Sequence, residues 1–233
     1  MRFFVGTSGY SYNEWKGKFY PGNWPQKEML NFYARRFSAV EINSTFYRMP
    51  GANVVSSWAR EVPESFRFAL KAPYVITHRK RLKSVRREIN AFFRALSQLK
   101  GRAAPVLIQL PPNFKKDLPR LEAFLDLIGD QRPAALEFRH ASWYDDDVFE
   151  ALRSRRCALC IADMDDAPPP VVVRTTGWGY VRLRRKRYTR KRLGQWVELL
   201  QSQKWCEAYV FFKHEATGTG PRFAARFREL AGD

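Results

Sequence analysis

The sequence predicts the α/β class and, within it, a single (β/α)8 barrel. Eight short apolar runs alternate with longer stretches of helical periodicity, the 233 residues suit one such barrel, and several runs end in charged or amide side chains on one parity. Alternating strands and helices imply parallel βαβ units, and eight of them close on themselves within roughly 200 to 250 residues. Hydrophobic residues make up 45% of the chain and aromatics 15%, enough apolar surface to argue against disorder and for one domain over residues 1–233.

In chain order the strand runs are 3–7, 39–43, 66–71, 106–110, 134–138, 159–163, 180–184 and 208–213. The stretches between them carry helical spacing, as in 84–99, where Val85, Ile89, Phe92, Phe93, Leu96 and Leu99 share a face. Asp163 to Pro170, with three successive prolines, reads as a loop. The run 171–174 that follows competes with 180–184 for the seventh strand.

Strands covered by helices should be almost wholly apolar. Here, if Val40 and Ile42 face the helices, Glu41 and Asn43 point into the barrel. The same alternation turns Lys71, Gln109, Glu137, Arg139, Arg182, Arg184 and Lys213 inward. Most of these lie at carboxyl strand ends, the rim where barrels of this kind carry catalytic groups. Two readings stand. One is a site in which Glu41 or Glu137 is a general base, Lys71 or His78 an acid or electrophile, and Asp163 a further catalytic carboxylate. The other is a structural layer in which Lys71, Arg139 and Arg182 neutralise the two glutamates.

Lys and Arg number 41 against 23 Asp and Glu, a formal net charge of +18. That balance favours an anionic small molecule or nucleic acid as partner. After the eighth strand, Gly218 and Gly220 precede a helix start at Pro221, a plausible anion cradle beside Arg182 and Arg184. Further basic runs at 78–87 and 115–116 share this rim with Tyr10, Tyr12, Trp15, Tyr74, Phe114, Trp143 and Tyr188, aromatics able to stack on bases or sugars. Trp15, Phe19, Tyr20 and Trp24 crowd one loop and fit equally well a small core of their own.

The three histidines, His78, His140 and His214, each follow a strand end, but their spacing matches no metal motif. The cofactor stays open; a divalent metal, if bound, would draw on Glu41, Glu137 and Asp163. Cys157 and Cys160 lie three apart in a strand-like run and so face opposite sides, which favours packing over metal or redox use, and the odd third cysteine, Cys206, argues against a disulfide framework. No apolar run approaches the roughly 18 residues of a membrane span, and no secretory pattern opens the chain, so a cytoplasmic protein is expected.

Several of these runs resemble the YecE-like family, domain of unknown function 72: GTSGYSYNEWKGKFYP at 6–21, VEINSTFYRMP at 40–50, FRFALKAPYVITHRKRL at 66–82, IQLPPNF at 108–114, EFRHASW at 137–143 and CIAD at 160–163. The resemblance implies a TIM-type barrel and a pocket made by Tyr10, Glu41, Asn43, Thr45, Tyr47, Lys71, His78, Gln109, Glu137, Arg139, His140, Trp143 and Asp163. It implies no established reaction. Where many members carry His-Gly after the seventh strand and Asn-rich sequence after the eighth, this chain has Arg184-Arg185 and Lys213-His214-Glu215, a more cationic corner.

The resulting expectation is a hydrolase-like enzyme for a phosphorylated or nucleic-acid-like substrate. A non-catalytic nucleic-acid-binding protein and a sugar-processing barrel with Glu41 and Glu137 as paired carboxylates are the alternatives.

Overall fold

The computed structural model describes residues 1–129, 132–213 and 218–232. Eight strands form one parallel sheet: β1 (Arg2–Ser8), β2 (Ala39–Ile42), β3 (Arg67–Leu70), β4 (Val106–Gln109), β5 (Ala134–Glu137), β6 (Ala158–Asp163), β7 (Trp178–Leu183) and β8 (Glu207–Phe212). Their order, β3-β2-β1-β8-β7-β6-β5-β4, brings β3 and β4 to the two sheet edges. Isolated bridges Phe68 to Ala103 and Lys71 to Leu107 join those edges and all but close the barrel.

Each predicted strand forms, and the seventh is the later run. Residues 171–174 are not a strand. Val171, Val172 and Val173 instead pack against the outer core in a connection, 164–177, that lacks a helix. Thr175 ties this connection down, its hydroxyl donating to the Cys157 carbonyl and accepting from Leu159 N–H at 2.9 Å. Elsewhere helices cover the sheet: α1 (Met29–Ala34), α2 (Ser44–Tyr47), α3 (Ala52–Glu61), α4 (Arg86–Leu96), α5 (Leu118–Ile128), α6 (Asp146–Ser154), α7 (Arg190–Gln201) and α8 (Thr219–Ala231). In α4, Ile89, Phe92, Phe93 and Leu96 are buried, as their spacing predicts. Asp117 caps α5 and Thr189 caps α7, each accepting a backbone N–H at 3.2 Å.

Strand parity sorts the core into two shells. Inside the barrel lie Phe4, Ala39, Ala69, Leu107, Ala135, Ala158, Cys160, Tyr180, Tyr209 and Phe211, and outside them the larger layer under the helices. Alanines on β2, β3, β5 and β6 leave the volume that Tyr180, Phe211 and the stacked Phe4–Tyr209 pair, 4.9 Å apart, fill from the opposite wall. Gly6 allows β1 to approach β2, since a Cβ there would stand 1.8 Å from the Ala39 carbonyl oxygen. Cys157 belongs to the outer shell and Cys160 to the inner, as expected of residues three apart on a strand. No helix among the described residues is long and apolar enough to cross a membrane.

Candidate functional site

Above the inner apolar layer the same parity places Glu41, Lys71, Gln109, Glu137 and Arg182. Arg182, buried, is the hub: Nη2 lies 2.8 Å from Glu41 Oε1 and Nη1 2.5 Å from Glu137 Oε2. Glu41 also accepts from Ser8 Oγ at 2.7 Å and from the Tyr180 hydroxyl at 2.8 Å. Glu137 Oε1 is met by Arg139 Nη2 at 2.6 Å and Arg184 Nη1 at 3.9 Å. Burial by itself would raise both carboxyls, but Arg182 first, with its hydrogen-bonding neighbours at Glu41 and with Arg139 and Arg184 at Glu137, pulls both below the ordinary range, Glu137 to about 2.

That geometry corrects the general-base expectation. Glu41 is enclosed, and each carboxylate is already spoken for by a guanidinium, so both are weak bases that would have to break an ion pair to take a proton. The paired-carboxylate sugar reading loses its geometry too, because Arg182 occupies the space between the two glutamates.

A cavity of 340 Å³ opens over this layer, lined by Asn43, Phe46, Tyr47, Lys71, Tyr74, His78, Gln109, Arg182, Arg184 and Lys213. Lys71, half-buried, donates to Gln109 Oε1 at 2.8 Å and stands 3.8 Å over the Phe46 ring. Among the described residues no carboxylate lies within ion-pair distance of it. Burial and then Arg182 push its ammonium down to about 8, Glu137 and Glu41 only partly opposing them. His78 stacks on Tyr74 at 5.3 Å, meets the Phe46 edge at 4.8 Å and shares a 2.8 Å hydrogen bond between Nδ1 and Thr77 Oγ1. Burial, with Lys71, Arg139 and Arg81, holds the imidazole near 4, neutral at pH 7. Tyr47, 84% exposed, and Tyr74, 49% exposed, stand at the opening as the aromatic faces a ligand could reach.

Several expected site residues fall elsewhere. Asp163 follows the inward Ala162 and so takes the outward parity; it is buried, held by Arg185 Nε at 2.5 Å and the Tyr188 hydroxyl at 3.0 Å, and pins the loop before α7 rather than serving the mouth. Trp143 is fully buried, stacked on Phe138 at 4.9 Å with its indole N–H donated to the Phe114 carbonyl, and offers a ligand nothing. Thr45, also buried, braces the site from below, its hydroxyl 2.7 Å from the Lys71 carbonyl. His140 receives the Ser142 N–H at the start of a short turn of helix over 141–143. Tyr10 lines a neighbouring cavity of 230 Å³ that shares only Asn43 with the mouth.

Gly218, at φ +66°, caps α8 but opens onto an outer groove between α8 and the first loop with the residues just after α1, and Gly220 is buried. The expected cradle therefore does not join Arg184 in one cavity. His214 lies outside the described residues. Trp15 and Tyr20 join the outer core and Phe19 packs against it, with Phe19 5.6 to 6.1 Å from the rings of Phe32, Tyr33 and Phe37, so the first loop extends that core instead of building one of its own. Among the described residues no group of three His, Cys, Asp or Glu side chains converges as a metal site, and each of the three carboxylates proposed as ligands is paired with arginine.

Phe46, Ser8 and Tyr180 are the members that the sequence reading did not single out. Ser8 and Tyr180 were signalled by inward parity on β1 and β7, whereas Phe46 enters from α2, for which no strand rule applies.

Comparison with known proteins gives the same fold. The chain is 34% identical over 116 residues to the UPF0759 protein YecE of Escherichia coli K12, covering 49% of this chain and 43% of that protein. It is 30% identical over 156 residues to UPF0759 protein YunF of Bacillus subtilis, covering 63% and 54%. The matched part thus spans about half the length of these relatives. A DUF72 family protein from Thermotoga maritima superposes with a TM-score of 0.80 at 26% identity, covering 100% of both chains. One from Enterococcus faecalis gives 0.83 at 20% identity, covering 99% and 96%. The family model for a protein of unknown function, DUF72, matches residues 4–233. The chain is a TIM-barrel member of the DUF72 family.

Proposed function

We propose that this protein is an enzyme that holds a small phosphorylated or nucleotide-like anion in the barrel mouth and works on it with Lys71. One observation carries the reading: Lys71, Arg182 and Arg184 line the 340 Å³ cavity and Arg139 reaches Glu137 beneath it, so that among the described residues these four cations face two carboxylates, Glu41 and Glu137. An anion entering it relieves repulsion among guanidinium groups that two glutamates only partly neutralise. Burial first, and then Arg182, depress the Lys71 ammonium at this wall, with Glu137 and Glu41 partly opposing them.

The hydrolytic form of this reading needs a water-activating base, and neither glutamate is available for that role. Lys71 and the neutral imidazole of His78 are the groups left on the cavity to move protons. Calorimetric titration with inorganic phosphate and with nucleoside monophosphates tests the proposal. Binding that weakens about tenfold or more in Arg184→Gln supports it, and no binding to either ligand rejects it.

A second reading rests on the groove between α8 and the residues just after α1, of 1110 Å³, lined by Lys18, Arg35, Arg36, Arg222 and Arg228 with Glu229 as the one carboxylate among its described residues. Such a surface suits the backbone of a single-stranded nucleic acid. Oligonucleotide binding that weakens steeply with salt, disappears in Arg35→Glu with Arg36→Glu and survives Arg184→Gln would favour a binding module over the enzyme.

A further inference from the structure

We infer that Lys71 is a nucleophile that forms a reversible imine with an aldehyde or ketone carrying a phosphate or carboxylate group. The inference rests on the anion-binding reading of the mouth and names the chemistry of the ligand there.

Lys71 is placed unlike a lysine that only binds an anion. A guanidinium would serve that purpose with more donors and a permanent charge, as Arg182 and Arg184 already do beside it. Its hydrogen-bond acceptor is the neutral Gln109 amide at 2.8 Å, where a carboxylate would hold the ammonium charged. The ring face of Phe46 at 3.8 Å walls one side, and the cavity lies on another. The charged groups around it are Arg182 and Arg184 from β7 and the residue following it, Glu41 from β2 and Glu137 from β5, with Arg139 acting on Glu137 and on the neighbouring His78, and Lys213 after β8 lining the same cavity. The net effect leaves an amine that loses its proton near pH 8 instead of 10.5, a share of neutral amine on the order of a hundredfold larger than an ordinary lysine has at pH 7.

The step balances without an oxidant or reductant. The Nζ lone pair attacks the carbonyl carbon, the N–C bond forms, and an amine proton passes to the oxygen, giving a carbinolamine. That oxygen takes one proton from solvent and leaves as water while the C=N bond forms. One amine, one carbonyl and one proton become one iminium and one water. The iminium carries the charge the ammonium carried, so the field that holds the anion is kept.

The test exposes the full chain at pH 7 to dihydroxyacetone phosphate, to pyruvate, or to acetone as an uncharged control, with sodium borohydride to reduce the imine, and maps the adduct by mass spectrometry. The expected product is one adduct per chain on Lys71, its added mass that of the carbonyl compound less one oxygen. Labelling by the two anions should exceed that of any other lysine by about tenfold or more, and that by acetone should be weak. Lys71→Arg keeps a positive charge and should lose the adduct. Gln109→Glu, which retains the amine but gives it a carboxylate partner, should slow trapping at pH 7 by about tenfold and restore it at higher pH; a Gln109→Glu protein trapped as fast as the wild type contradicts the inference. If inorganic phosphate binds in the mouth but neither anion is trapped on Lys71, or if labelling is spread evenly over surface lysines, the imine is overturned and the anion site stands. If phosphate does not bind, the anion reading falls and the imine with it.

Discussion

Arg182 holds Glu41 and Glu137 at once, 2.8 and 2.5 Å away, and through them ties β7 to β2 and β5 across the barrel interior. One guanidinium thus neutralises two carboxylates that burial alone would protonate. Among the described residues the arrangement leaves Lys71 with no carboxylate in ion-pair reach and Arg184 3.9 Å from Glu137.

Replacing Arg182 with Leu leaves Glu41 in the core without its guanidinium and Glu137 with Arg139 alone at close range. The expected loss is about 3 to 5 kcal/mol in urea unfolding, the cost of breaking a buried ion pair from one side. Adding Glu41→Gln should recover part of it, since the enclosed position then carries no charge while Glu137 keeps Arg139; a double variant no more stable than Arg182→Leu would contradict this account.

Acid stability should fall in two windows. The folded imidazole of His78 titrates near 4 against an ordinary 6.5, so the unfolded chain binds the extra proton first and stability declines as pH drops through that interval. Glu137 titrates near 2 against 4.5, so its contribution is complete above 4.5 and is lost as pH falls towards 2. Thermal unfolding from pH 7 to 2 should show both, and His78→Gln should flatten only the upper one.

Gly6→Ala should be among the most damaging small substitutions in the barrel. Its methyl would meet the Ala39 carbonyl and the Tyr33 hydroxyl, and that hydroxyl accepts the Thr7 N–H at 2.7 Å and donates to Ala39 O at 3.1 Å. A loss of about 3 kcal/mol or more is expected, against about 1 kcal/mol for Tyr33→Phe, which removes the hydroxyl without a clash; denaturant midpoints compare the two.

Much of this was legible in the sequence, for a definite reason. Parallel strands under helices leave alternation as the record of which side faces inward, and that record placed Glu41, Lys71, Gln109, Glu137 and Arg182 correctly. Asp163 was counted among the catalytic carboxylates, yet it follows the inward Ala162 and so takes the outward parity, where Arg185 holds it. What alternation does not encode is which partner each inward charge takes. Lys71 was expected to share in neutralising the glutamates, yet Arg139 and Arg182 do so and Lys71 turns to Gln109. The Gly218 signal failed similarly: a Gly-rich helix start shows where N–H groups are free, and only the packing of α8 against the first loop, with Lys18 Cβ 3.2 Å from where a Gly218 Cβ would stand, decides which depression it serves.

If Lys71 contributes to anion binding as an ammonium, phosphate affinity should hold up to about pH 8 and then fall about tenfold per pH unit as the free amine deprotonates. Lys71→Arg should remove that decline, and calorimetry at several pH values reads both curves.

The central claim, that an anion relieves positive charge in the mouth, is read by how far the Lys71 titration moves when phosphate binds, since burial is the first cause of its depression without ligand. In protein labelled with 15N and 13C at lysine, NMR should find Lys71 titrating near 8 without ligand, and about one unit or more higher with saturating inorganic phosphate. A Lys71 that titrates near 10.5, the ordinary lysine value, and does not respond to phosphate would contradict it.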